Sequence, residues 1–321
     1  QDKQYVDDIA GDLLNPLFTS FFARDLISPA QKFSVGPYRY VKDRGYAFEQ
    51  KLSDNTRGFL DKQLKDYVAD EKAANIPLVF FNSVVTRDSR KMIISTQPVR
   101  FMMRDQHDFT NIPAADPDAI DFVSFFAKQD PYNIRILTAL RMNATFPIVL
   151  PNVWLPSNPV IDVMDAGLRD NYGQETTLRF LSSFDDWIKE NTSGVLILQI
   201  RDRKTGGWEL PYVSDDIGTH AVKPFLLLQH NWFKMMEYFQ NDMLNYYAAG
   251  SSNPVYKVAF QYSADSEQTK AALNFHLTRR EEKDIVSSLR SSANQQSFRE
   301  IQKLFAQRPR NFPVFFPVHA W

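Results

Sequence analysis

The residues of this sequence best equipped to do chemistry are an aspartate and its small neighbours, Asp165-Ala166-Gly167, inside the segment VIDVMDAGLRDNYG. A strand that ends in Asp-small-Gly delivers a carboxylate to the carboxyl edge of a sheet, where ligands of open α/β folds gather, and the small residues let other backbone approach. Such a carboxylate can act as a general base; an aspartate that only caps a helix gives the same pattern, and spacing alone does not separate the two. Other chemistries are poorly supplied. The five histidines (His107, His220, His230, His276, His319) show no ligand spacing for a metal. His220 and Asp216 share a long polar stretch, where a solvated pair is expected. No phosphate-cradling loop or dinucleotide fingerprint occurs, so neither a metal nor a cofactor is expected. The absence of cysteine excludes disulfides, thiolate metal sites and a cysteine nucleophile. A serine nucleophile on a strand-to-helix turn needs G-x-S-x-G, which is missing. The nearest approach, Gly250-Ser251-Ser252-Asn253-Pro254, has Pro in the last position and reads as an ordinary turn after a helix.

The elements that must position Asp165 follow from periodicity. Leu13, Leu14, Leu17, Phe18, Phe21, Phe22 and Leu26 recur at helical spacing up to Pro29, giving an aromatic-rich amphipathic helix whose apolar face serves a core or a lipid surface. A second helix is expected over residues 55–71. The β-branched runs 77–86 and 91–102, separated by Arg87-Asp88-Ser89, predict a hairpin. A Pro-containing loop precedes Asp118, and helices are expected at 121–129 and 133–144. FPIVLPNVWLP and VIDVMDAG follow, then a helix over 175–190 and the strand VLILQI, whose continuous apolar character suits burial on both faces. The stretch 201–223 is a long loop, Pro224 opens a helix to Ala249 with apolar residues on more than one face, and 255–262 is a strand. Thr278 and Glu281 form a capping box for a helix to Leu289, and a last helix covers 297–306. Alternating strands and helices argue for a layered α/β fold.

With 321 residues the chain has ample core material, and Lys+Arg 37 against Asp+Glu 38 leaves a net charge of −1, too little to steer it to nucleic acid or an anionic bilayer. Only 11 glycines occur, roughly half the ~7% of average usage, so a Gly-rich oxyanion or phosphate loop has little to draw on. No stretch of ~18 apolar residues is present, and the first residues lack the basic and apolar regions of a signal peptide. Compartment stays unassigned.

Taken together, several segments resemble the patatin-like phospholipase family, specifically its large bacterial members. VIDVMDAGLRDNYG is similar to the family's aspartate motif D-G-[AG], with Ala166 in its middle position, Gly167 in its last, and Asn171 in the polar stretch beyond. ILTALRMNATFPIVLPNVWLP resembles the helix and loop before that motif, PLVFFNSVVTRDSRKMIIS the strand pair upstream, GDLLNPLFTSFFARDL with DRGYAFEQ the segment after the nucleophile helix, and FHLTRREEKDIVSSL the closing helix. These cover about residues 8–290 in the family's order.

The resemblance implies a layered patatin-like fold with a central, mostly parallel sheet flanked by helices and incomplete at its N-terminal side. It divides the chain into a helical segment 1–76, a sheet-forming core 77–222 and a C-terminal helical extension 223–321. It implies a Ser-Asp dyad acting on lipid or other carboxylic esters, with Asp165 as catalytic residue and Ala166, Gly167 and Asn171 in support, and with the serine and oxyanion loop outside this sequence. The polypeptide on its own is then expected to be inactive. Lipid or ester is the partner class; membrane association would come through a larger parent protein, and a homodimer would use the helix from Pro224. A non-catalytic lipid- or protein-binding relative, and an interaction module whose aspartate caps a helix, remain alternatives.

Overall fold

The computed structural model describes residues 4, 7–8, 10–26, 31–35, 38–103, 117–145, 150–204, 217–264, 271 and 276–306, with the backbone alone over 217–230. The chain divides into two compact units: residues 1–169 with 274–277 and 313–321, and residues 170–273 with 278–312.

The first unit holds a two-stranded antiparallel sheet, β1 (Lys32–Val35) with β2 (Tyr38–Val41), and is built around a five-stranded sheet in the order β5-β4-β3-β7-β6, where β3 is Phe81–Val85, β4 Lys91–Ile94, β5 Ala119–Asp121, β6 Val153–Leu155 and β7 Ile161–Asp165. The hairpin expected at 77–102 is the β3-β4 pair. The expected mostly parallel sheet is not found. β3-β4, β3-β7 and β6-β7 pair antiparallel, and only β4-β5 is parallel. For β3-β4 and β6-β7 the reason is connection length: each pair is joined by a turn too short for the crossover that a parallel pair requires. The result is an α/β fold with mixed sheets.

One sheet face meets the helix Ile136–Asn143. Its Ile136, Ala139 and Met142 share a core with Val85, Met92, Ile94, Val153, Leu155 and Val163. The opposite side of the same helix carries Leu137 into a second core with Leu13, Leu17, Phe48, Leu52 and Leu150. That core draws on the helices α1 (Leu14–Ser20) and α2 (Arg44–Asn55). Asp43 caps α2 by accepting the Tyr46 N–H at 3.0 Å. The helix expected at 55–71 therefore lies earlier. Residues 57 and 58 adopt positive φ, which ends α2, and only a 3-10 turn, Leu64–Asp66, and the helix α3 (Val68–Lys72) follow. Glu49 is buried on α2 and takes Arg141 and Arg135 at 3.4 and 3.5 Å. Burial raises its proton affinity, opposed by the charges of those arginines.

The helix α4 (Phe122–Phe125) precedes Ile136–Asn143, which becomes α5, and the short α6 (Gly167–Asp170) follows β7. In the second unit come α7 (Gln174–Ser183), α8 (Asp185–Asn191), β8 (Val195–Arg201), α9 (Ile217–Gly250), β9 (Val255–Gln261), α10 (Arg279–Ser288) and α11 (Ser292–Ala306). Helix α9 begins ahead of Pro224, which lies inside it. β8 and β9 pair in parallel, the crossover between them carrying α9. Gly194 has φ +147° where β8 begins, and a Cβ there would sit 2.8 Å from the Pro254 carbonyl oxygen. The capping box of Thr278 and Glu281 is present at the start of α10. The apolar stretch 146–149, most of the loop before Asp118, residues 205–216 of the long loop and the tail from 307 lie outside the described residues.

Candidate functional site

Asp165 ends β7, and its carboxylate turns back to accept the N–H of Gly167, capping the start of α6. Ala166 between them is buried. The register sets Asp165 opposite Ser83 of β3, and Ser83 opposite Met92 of β4, so all three share the sheet face that carries Val85 and Val163 into the core. Burial raises the proton affinity of the Asp165 carboxyl, partly opposed by the Gly167 N–H. Among the described residues no cation offsets the cost of its charge. Such a carboxyl is a stronger proton acceptor than an exposed aspartate.

Ser83 is the serine that the fold brings beside Asp165. It is fully buried in an extended strand, and its Oγ has no hydrogen-bond partner. A nucleophilic serine must present its hydroxyl to a substrate from an exposed, tight turn, so Ser83 does not supply one.

The surrounding side chains stiffen the strand end. Asp162 accepts Thr86 Oγ1 and Asn152 Nδ2, each at 2.7 Å, tying β7 to β3 and β6. Arg169 donates to the Ser89 and Asp118 carbonyls at 2.9 and 3.0 Å and pairs with the Asp118 carboxylate, fastening the start of α6 to the hairpin turn. Asn171 is exposed on the turn after α6 and belongs to the second unit. Within the first unit the structure thus joins Asp165 and Gly167 directly. The Gly250-Ser251 segment is a turn at the end of α9, where Asn253 N–H donates to Ser251 Oγ at 3.4 Å. Asp216 lies outside the described residues, as does the side chain of His220. Among the described residues no group of acidic and histidine side chains could hold a metal ion, and no helix is long and apolar enough to cross a membrane.

The second unit contains a polar cluster that the sequence reading missed. VLILQI reads as apolar on both faces, yet Gln199 and Arg201 occupy one face of β8 and are buried. Gln174 Oε1 accepts Lys257 Nζ at 2.7 Å and Gln199 Nε2 at 3.3 Å, Arg201 donates to Gln199 at 3.0 Å, and Arg201 pairs with Glu237 at 2.7 Å. Gln240 bridges to Asp170, whose carboxylate also accepts the Glu175 and Thr176 N–H groups at 2.9 Å. Burial, and then the charge of Arg201, lower the proton affinity of Lys257 against the pull of Glu237. Its partners are internal, so the cluster braces α7 and α9 against β8 and β9. The signal available beforehand was the alternation Gln199-x-Arg201 at the end of an apolar strand.

No family model, no curated protein and no solved structure matches the chain.

Proposed function

We propose that this chain supplies the aspartate of a serine acyl hydrolase for lipid or other carboxylic esters. Asp165 would take the proton of a serine hydroxyl whose oxygen attacks the ester carbonyl. One observation carries the reading: at the end of β7 a largely buried carboxyl has raised proton affinity, one backbone N–H and, among the described residues, no balancing cation. A carboxylate kept only for structure is commonly paired or fully hydrogen-bonded, as Asp170 is. The order of the segments that resemble the patatin-like family supports the same reading. Ser83 does not complete a dyad, so the polypeptide alone is expected to form no acyl-enzyme.

A fluorophosphonate probe applied to the intact product of the gene tests this. Serine labelling that Asp165→Asn abolishes, with circular dichroism unchanged, is the expected result. An intact gene product that remains unlabelled, or labelling indifferent to Asp165→Asn, refutes the proposal.

A non-catalytic binding role has one observation of its own. Trp232, Met235, Tyr238, Phe239, Met243 and Tyr246 of α9 are all exposed, an apolar and aromatic stripe of the kind that contacts lipid. Co-flotation of the chain with neutral vesicles, lost when Phe239 and Tyr246 are both changed to Ser, would support that role over the catalytic one.

A further inference from the structure

The two edges of the β8-β9 sheet are finished differently. On the β9 side, α11 lies along the strand and its side chains take the place of a neighbour. Asn294 Oδ1 accepts the Gln261 N–H at 2.9 Å, Asn294 Nδ2 donates to the Gln261 carbonyl at 2.9 Å, and Ser297 Oγ donates to the Ala259 carbonyl at 2.6 Å. Phe298 stacks edge-on against Phe260, with ring centroids 4.7 Å apart. Those contacts close the C-terminal half of that edge, at residues 259 and 261.

The β8 edge is open. Val195 N–H donates to the Pro254 carbonyl and Tyr262 N–H to the Arg201 carbonyl, each at 2.9 Å. Residues 195, 197, 199 and 201 therefore turn their main-chain groups to β9, and Leu196, Leu198 and Ile200 turn theirs outward. Those outward groups have no partner, and β8 has no second neighbour among the described residues. The side chains of the same three residues share one face, where Leu198 is 53% and Ile200 76% exposed, with Tyr256 of β9 beside them at 42%. Among the described residues the usual protections of a free edge are missing: β8 holds no Pro and no Lys, and its one charge, Arg201, is buried against Glu237 on the other face.

We infer that this edge is a self-association surface, on which a second copy of the chain pairs its own β8 antiparallel about a two-fold axis at Leu198. The residue order selects that occupant. About Leu198 the outward-facing set is symmetric, so Leu198 meets its own counterpart and Leu196 meets Ile200 of the other copy. All three positions direct both main-chain groups outward, so every one of these pairs exchanges two bonds, about six in total. On the reverse face Arg201 falls opposite Val195, and no like charges meet. The two sheets become one of four strands, with Asn294 and Ser297 covering residues 259 and 261 of β9 at each outer edge. A contact of one strand pair buries less than the roughly 1,200 Å² of a standard stable interface, so the dimer forms reversibly with concentration.

The cysteine-free sequence allows a register test. Opposed residues of a hydrogen-bonded antiparallel pair have Cα atoms about 5.5 Å apart, within disulfide reach. Leu198→Cys is expected to cross-link to a dimer under mild oxidation. Leu196→Cys mixed with Ile200→Cys should cross-link, and neither of them alone. Val286→Cys, on the exposed face of α10, serves as the off-site control. In sedimentation the parent should shift from monomer to dimer with concentration, and Leu198→Lys, folded by circular dichroism, should stay monomeric. A parent that is monomeric at high micromolar concentration overturns the inference. So does a dimer that survives Leu198→Lys, or one that cross-links as readily from Val286→Cys.

Discussion

At the scale of single residues, Asp165 and Ser83 form the informative pair. The folded chain keeps a proton on Asp165 to higher pH than the unfolded chain does. Between the unfolded carboxyl value, about 3.9, and the raised folded value, the native state binds more protons, so stability falls as pH rises through that window. Asp165→Asn removes the buried charge and retains an acceptor for the Gly167 N–H. The variant is expected to be more stable than the parent at pH 7, with the gain vanishing below about pH 3.9. Urea unfolding at a series of pH values measures this, and a pH-independent difference contradicts it. Ser83→Ala deletes a buried hydroxyl without a partner, and should leave stability unchanged or raise it by about 1 kcal/mol by the same assay. The sequence made Asp165 visible through its small neighbours. It could not show Ser83 opposite, because strand register depends on the pairing of whole strands.

At the scale of elements, α5 and α11 each do two jobs. Helix α5 serves both cores of the first unit, so Leu137→Ala, at a fully buried position, is expected to cost about 2–5 kcal/mol in denaturant unfolding. The amide of Asn294 makes three bonds to main-chain groups: two to Gln261 and one to the Ser288 carbonyl at 2.7 Å. Asn294→Leu fills similar space and leaves them unmade, at a cost of about 2–3 kcal/mol, whereas Ala at exposed Gln295 changes little. Local chemistry made some elements legible. The capping box at Thr278 and the hairpin turn after Thr86 announce themselves within a few residues. The helix expected at 55–71 failed for the complementary reason: alternating charges resemble a solvated helix face, while the positive φ at Arg57 and Gly58 that breaks it depends on how the chain leaves α2.

At the scale of the whole molecule, strand direction was the least legible feature. The resemblance to the patatin-like family implied a mostly parallel sheet, but the turns inside 81–94 and 153–165 are short enough to force antiparallel pairs there, β3-β7 is antiparallel as well, and parallel pairing is left to β4-β5 and β8-β9. The near-zero net charge bears on association as well. With a formal charge of −1 and an apolar, backbone-paired contact at β8, the monomer-dimer balance should change by less than about threefold between low salt and 1 M salt, where the Debye length shrinks to about 3 Å. Sedimentation across that series checks it; a steep fall with salt would mean that exposed ion pairs hold the copies together.

The side-chain amide of Asn294 has a further consequence. A sheet open at both edges can add copies without end, in the manner of a growing fibril, whereas one that is plugged on one side can add a single copy and then stops. By occupying the outward groups at residues 259 and 261, Asn294 and Ser297 obstruct strand addition along β9, and on the proposed dimer they would turn an adhesive surface into a countable one. Loosening α11 would remove the stop, and thioflavin-positive filaments, rather than loss of folding, would be the first sign.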